Sequence, residues 1–159
     1  MEKDYKQLAN NARKKVLEMI YEAQASHAGS NFSAIDLLTV MYDKANLGKG
    51  NQPDNDLVVI SKGWIAASVY YFLSEKGLIL KEDLKQFCAP DSKYIGLVEP
   101  TVEGIKAAGG SMGFGLPFGV GFALAQKIRI PDLIASANIG IGDWWVLNQI
   151  LLAHVRFFG

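Results

Sequence analysis

A glycine-rich segment and an aspartate that follows an apolar segment are the residues of this sequence that could do chemistry together. Residues 109–115 read GGSMGFG and precede an apolar stretch. Backbone N–H groups at a glycine-rich helix start can bind phosphate oxygens. Gly142 and Asp143 follow a second apolar stretch, where an aspartate can bind Mg²⁺ together with phosphate oxygens. Each pattern also has an ordinary structural explanation, helix packing for the glycines and a loop hydrogen bond for the aspartate.

The elements that would position these residues alternate between helices and short apolar strands. Apolar residues at spacings of three and four predict an amphipathic first helix over residues 4–25. Leu57–Ile60 and residues 133–141 are predicted to be strands. The alternation predicts an α/β fold with a parallel sheet flanked by helices, in which ligands bind at the carboxyl ends of the strands. The further predicted helices cover residues 33–45, 64–76, 81–87 and 111–127, the last of them buried.

The length and composition are those of one folded domain. Half of the 159 residues are apolar and 20% are charged, which excludes a disordered or low-complexity chain. We therefore expect a single domain over residues 1–159. Because only two strands are recognisable, either others are hidden or the domain is incomplete.

The charge balance and the cysteine content limit the partners and the cellular compartment that we expect. Lys and Arg number 16, as do Asp and Glu, and this net charge of zero gives no reason to expect a nucleic acid or a membrane as partner. Cys88 is the one cysteine, which excludes an internal disulfide and is typical of a reducing compartment. The charged N-terminal residues do not read as a signal peptide, and no apolar run is long enough to span a membrane. We expect a cytoplasmic protein.

Several short motifs occur in one colinear order, and that order is more specific than any of its members. The series resembles the N-terminal, diphosphate-binding half of transketolases over residues 8–143. The likeness is greatest to split transketolases, whose two halves are separate polypeptides. The motifs are residues 13–20, SHAGS at 26–30, VISKG at 59–63, EKG at 75–77, GGSMGFG at 109–115 and GD at 142–143.

The resemblance implies a thiamine diphosphate-binding fold and a role for each matching residue. His27 corresponds to the family's histidine near the substrate and is the expected catalytic residue. Asp143 corresponds to the aspartate that binds Mg²⁺ or Ca²⁺ against the diphosphate. The expected cofactor-binding residues are Gly110, Ser111, Met112 and Gly142.

The resemblance also implies an activity and a partner. The chain would be the N-terminal subunit of an enzyme that transfers a two-carbon ketol unit between sugars or sugar phosphates. A C-terminal transketolase half would supply the pyrimidine-binding domain, so we expect a homo- or hetero-oligomer that is inactive without that partner. Two alternatives stay open: another thiamine-dependent carboligase or E1-type subunit, and a truncated fragment that catalyses nothing.

The sequence departs from the family pattern at two motifs and in its tail. Trp64 and Leu97 stand where transketolases usually have histidines, which puts the usual sugar-phosphate specificity in question, and Trp64 is expected to be a packing residue. Residues 144–159 lack the family's acidic, glycine-bearing stretch and its later asparagine ligand. We expect them to be an atypical tail, truncated or altered in frame. His154 and Cys88 are expected to have no catalytic role.

Overall fold

The first helix begins at a polar cap and buries one apolar stripe. The Asp4 carboxylate accepts a hydrogen bond from the Gln7 backbone N–H at 3.0 Å, which satisfies one of the free donors of the first turn.

The computed structural model describes residues 3–48, 55–111, 113–129, 134–141 and 151–158. Its helices are α1 Tyr5–Glu22, α2 Ala28–Phe32, α3 Ile35–Lys44, α4 Ala66–Glu75 and α5 Gly115–Arg129, with 3₁₀ turns at Gly63–Ile65 and Lys81–Gln86. Its strands are β1 Leu57–Ile60, β2 Ile134–Ile141 and β3 Leu151–Phe158.

The contacts of the chain form two compact units. The first unit comprises residues 1–44 and 64–98, and the second comprises residues 45–63 and 99–159. The expectation of a single domain over residues 1–159 stays a prediction.

The first unit is helical. Helix α1 packs against α3 and α4, and α3 also packs against α4. The side chains of Val16, Leu38 and Val69, one from each helix, are fully buried. Val16 lies on the apolar stripe that predicts α1. Gly77 ends α4 with a φ of +71°, the left-handed conformation that glycine adopts without strain.

The segment after α1 differs from the prediction. The sequence predicts a turn over residues 26–31, whereas the structure has the five-residue helix α2 at Ala28–Phe32. His27, the residue before this helix, has a φ of +74°. A helix of little more than one turn has no apolar period to detect, so the sequence could not predict it.

The second unit contains the three strands and α5. Strand β1 has the predicted bounds, and Val58, Val59 and Ile60 are buried. The strand order is β1-β3-β2, and α5 lies against this sheet. Phe118 and Phe122 of α5 pack against Val59 and Ala107.

The α/β composition is as predicted, but the prediction of parallel pairing is wrong for both described ladders. Strand β3 pairs antiparallel with β1, with Val59 opposite Ala153, and antiparallel with β2, with Ile139 opposite Ala153. Strand β3 comes from the stretch that the sequence predicts to be an atypical tail. Only residues 142–150 connect β2 to β3. Because adjacent parallel strands need a crossover of a dozen residues or more, this short connection favours antiparallel pairing.

The apolar helix α5 is not buried as predicted. Leu116, Val120, Leu124 and Ile128 repeat every fourth residue and are 45%, 50%, 56% and 81% exposed. Apolar composition alone predicts burial, whereas only the face that carries Phe118 and Phe122 has a sheet to cover it. Among the described helices, none is both long enough and apolar enough to cross a membrane.

Candidate functional site

His27 is held by a neighbouring hydroxyl and an aromatic ring in the first unit. Its Nδ1 atom lies 2.7 Å from Ser26 Oγ. Its ring stacks on the indole of Trp64, with the centroids 4.4 Å apart and the planes 14° from parallel. Both rings line a cavity of about 440 Å³ whose wall also includes Phe87 and Cys88. The geometry leaves an exposed imidazole whose plane and Nδ1 atom are both engaged.

The buried side chain of Asn31 connects the backbone of His27 to helix α4. Asn31 is 2% exposed, and its Nδ2 atom donates to the backbone carbonyls of His27 at 3.0 Å and Trp64 at 3.3 Å. Its Oδ1 atom accepts from the backbone N–H and the hydroxyl of Ser68, each at 2.9 Å. Because a backbone N–H is only a donor, this pattern fixes which end of the amide is which.

The glycine loop of the second unit, residues 109–115, is fastened to the end of β1 through Ser61. The Gly110 N–H donates to the Ser61 carbonyl, and the Gly115 N–H donates to the Ser61 hydroxyl, each at 3.1 Å. Ser61 is 3% exposed, so both bonds are sheltered from water. A Cβ on Gly109 would lie 2.7 Å from Gly63 Cα, so only glycine allows this approach.

The same loop leaves backbone donors unused at the start of α5. Gly110 and Gly113 have φ values of +110° and +76°. Within the described contacts, the N–H groups of Ser111 and Gly113 donate to no protein acceptor, and both residues are exposed. Free N–H groups before a helix that begins at Gly115 suit the oxygens of a diphosphate.

The predicted site residues divide between the two units. His27 belongs to the first unit, and Gly110 and Ser111 belong to the second. Met112, Gly142 and Asp143 lie outside the described residues. In the described ranges, no group of three or more His, Cys, Asp and Glu side chains could hold a metal ion. The roles of all six residues stay predictions.

The residues that depart from the family pattern each have a clear place in the first unit. Trp64 is 43% exposed and stacks on His27 instead of filling the core. The carbonyls of Ile95 and Leu97 accept from the Tyr70 hydroxyl at 3.0 and 3.1 Å, which holds the loop that contains Leu97. Cys88 is free, and burial raises the pKa of its thiol, which opposes a reactive thiolate.

Sequence reasoning missed Asn31, and it marked Ser61 only as part of a strand end, without its contacts to the glycine loop. Asn31 is 37 residues from Ser68, and Ser61 Oγ is 54 residues from the N–H of Gly115 that it accepts. A pattern of neighbouring residues cannot predict contacts between positions so far apart in the sequence. The available signal for Ser61 was its position at the carboxyl end of a predicted strand, where ligand-site residues gather.

Comparison with known proteins identifies the family. The sequence matches the transketolase, thiamine diphosphate binding domain family over residues 4–139. It is 33% identical over 136 residues to an apulose-4-phosphate transketolase subunit from Phocaeicola vulgatus, covering 82% of this chain and 48% of that protein.

Two other relatives support the same assignment. The chain is 29% identical to the corresponding apulose-4-phosphate transketolase subunit from Actinobacillus succinogenes, covering 86% of this chain and 53% of that protein. It is 31% identical to transketolase 1 of Pasteurella multocida, covering 77% of this chain and 19% of that protein. The chain thus spans about half the length of the two apulose-4-phosphate transketolase subunits. It belongs to the family of transketolase thiamine diphosphate-binding domains.

Proposed function

We propose that this chain supplies the diphosphate and metal side of a thiamine diphosphate site in a split transketolase. The enzyme transfers a two-carbon ketol unit between sugars or sugar phosphates. Two relatives are named as subunits of a transketolase, not as whole enzymes. A second subunit with the pyrimidine-binding domain therefore completes the site, in a hetero-oligomer.

The glycine loop is the observation that carries this proposal. Its two bonds to Ser61 hold it at the end of β1, and the N–H groups of Ser111 and Gly113 have no acceptor among the described contacts. Two backbone donors and the positive end of the fifteen-residue helix α5 favour a dianionic ligand such as a diphosphate. Met112 and Gly142 complete the set of residues assigned to the cofactor.

The metal side of the site is assigned to Asp143. A carboxylate and diphosphate oxygens form a ligand set that suits Mg²⁺, and Ca²⁺ accepts the same oxygen donors. The negative charge of the carboxylate is required, because a neutral amide would bind the cation far more weakly.

His27 is assigned to the substrate. When bound, thiamine diphosphate supplies the carbon nucleophile and stabilises the carbanion of the two-carbon unit. The imidazole of His27 lines an open cavity, where its ring edge can exchange a hydrogen bond or a proton with a substrate oxygen.

Calorimetric titration of thiamine diphosphate with Mg²⁺ tests the proposal. We expect weak or undetectable binding to this chain alone and clear binding to its mixture with the pyrimidine-domain subunit of a split transketolase. Asp143→Asn should remove metal-dependent binding by the mixture, and Leu17→Glu, an exposed change on α1, should leave it intact. Micromolar binding by the chain alone, or equal cofactor affinity in the Asp143→Asn mixture, would contradict the assignment.

A further inference from the structure

The ring of His27 has one hydrogen-bonding atom left for a ligand. Ser26 Oγ occupies Nδ1 at 2.7 Å, and the indole of Trp64 covers one face. Among the contacts of the described residues, Nε2 of His27 has no protein partner. The residue therefore presents its Nε2 edge, and not its face, to the cavity of about 440 Å³ that it lines.

The stack of the two rings is fixed through the backbone as well as through the side chains. Asn31 Nδ2 donates to the carbonyls of both His27 and Trp64, so one buried amide sets the separation of the two backbones. The left-handed φ of +74° at His27 then directs its side chain. The backbones that carry the two rings are therefore joined through Asn31.

We infer that Ser26 and Trp64 are positioning residues for His27, which hold its imidazole in one plane and one tautomer with Nε2–H as the donor to the substrate. One part of this inference, that a substrate accepts the hydrogen bond, rests on the proposed function. The substrate class follows from the donor: it is a compound with a carbonyl or hydroxyl oxygen within reach of Nε2.

The Ser26 contact is compatible with two tautomers of His27, and the inference assigns one of them. A neutral imidazole has one N–H and one bare nitrogen, and a serine hydroxyl can either donate to a bare Nδ1 or accept from Nδ1–H. With the Ser26 hydroxyl donating to Nδ1, the ring proton stands on Nε2. In histidine sites generally, the hydrogen-bond partner of one ring nitrogen sets the protonation state of the other.

Trp64 gives the site a single imidazole. An indole offers one N–H donor and no acceptor, so it cannot exchange a proton as a histidine would. Its flat ring is instead suited to stacking, and a parallel stack prevents the imidazole from turning its face toward the cavity. The tryptophan thus fixes the plane of the ring, while Ser26 fixes the position of its proton.

Nitrogen-15 NMR of the full chain, labelled at its two histidines, tests the inference without any ligand. His27→Gln identifies the His27 signals by their loss. In the neutral wild-type ring we expect a protonated Nε2 and a bare Nδ1. Ser26→Ala should move both nitrogen signals toward the average of the two tautomers, and Ser26→Thr should restore them.

Proton NMR of the same samples tests the stack. The indole should shift the His27 ring protons upfield, Trp64→Ala should abolish this shift, and Trp64→Phe should retain part of it. The inference is overturned if Ser26→Ala leaves the nitrogen signals unchanged, if Nδ1 carries the proton, or if Trp64→Ala leaves the ring protons in place. These readouts need no cofactor. If the NMR signals are as expected but the complex transfers no ketol unit, the proposed function alone is overturned.

Discussion

At the scale of single residues, Asn31 makes several hydrogen bonds that no sequence pattern predicted. Its amide uses both donors on the carbonyls of His27 and Trp64 and its oxygen on Ser68, all within a buried environment. The same side chain therefore supports both the helical unit and the stacked rings.

Asn31→Ala should destabilise the chain by about 1–3 kcal/mol, because it leaves the Ser68 N–H and two carbonyls without their partner. Urea unfolding followed by circular dichroism measures the change. Asn11→Ala, at an exposed site on α1, is the matched control and should stay within about 0.5 kcal/mol of wild type. Equal stabilities of the two variants would show that the amide is dispensable.

Tyr94 makes the stability of the chain depend on alkaline pH. Burial raises the pKa of Tyr94 above its ordinary value, and the hydrogen bond and charge of Asp83 raise it further. The Tyr94 hydroxyl donates to Asp83 Oδ2 at 2.6 Å. The unfolded chain loses this proton near pH 10 while the folded chain keeps it, so the free energy of unfolding falls as pH rises above about 10.

Tyr94→Phe should therefore reduce the alkaline loss of stability without abolishing it, because burial also raises the pKa of Tyr42. Through the lost hydrogen bond, it should lower the stability at neutral pH by about 1 kcal/mol. Urea unfolding at a series of pH values checks both parts. Tyr21→Phe, at a side chain that is 73% exposed, should change neither. A Tyr94→Phe profile parallel to that of wild type would refute the assignment.

At the scale of elements, the close approach of the glycine loop to β1 is the contact on which the candidate site depends. A Cβ on Gly109 would lie 2.7 Å from Gly63 Cα and 3.0 Å from the Ile60 carbonyl, and these backbone atoms cannot turn aside as a side chain could. The loop would have to leave β1 and lose its hydrogen bonds to Ser61.

Gly109→Ala should destabilise this chain, and it should weaken thiamine diphosphate binding by the mixture with the partner subunit. Gly121→Ala is the matched control, because a Cβ there meets nothing within 4 Å. It should stabilise α5 by about 0.5–1 kcal/mol. Thermal unfolding and calorimetry measure the two effects, and the prediction fails if both substitutions act in the same direction on stability.

The sequence predicted elements better than it predicted pairings. Leu57–Ile60 was recognisable because four apolar residues stand between polar loops, and the bounds agree with the structure. The antiparallel ladders were not predicted, because β3 occupies a stretch that resembles no part of the family. Periodicity indicates which face of a segment is apolar, whereas the direction of strand pairing depends on the path of the connection between the strands.

At the scale of the whole molecule, the apolar face of α5 remains uncovered by the described residues. Leu116, Val120, Leu124 and Ile128 are each at least 45% exposed and follow one row of the helix surface. Single exposed apolar residues are common, but a contiguous row is typical of an interaction surface or an aggregation-prone patch. We expect this row to take part in the association that the family resemblance implies.

A double substitution, Val120→Glu with Leu124→Glu, tests that expectation. Two carboxylates on adjacent turns of an apolar row remove its hydrophobic area and repel each other, so association and the binding of a hydrophobic dye should both decrease. Light scattering at micromolar concentrations, together with dye fluorescence, measures them for the wild type and the double variant.

Leu17→Glu is the control, because Leu17 is 50% exposed on α1, outside that row. Its scattering and dye signal should equal those of the wild type. A monodisperse wild-type monomer that binds no dye would show that the α5 row does not drive association. The row would then be an ordinary exposed surface, despite its composition.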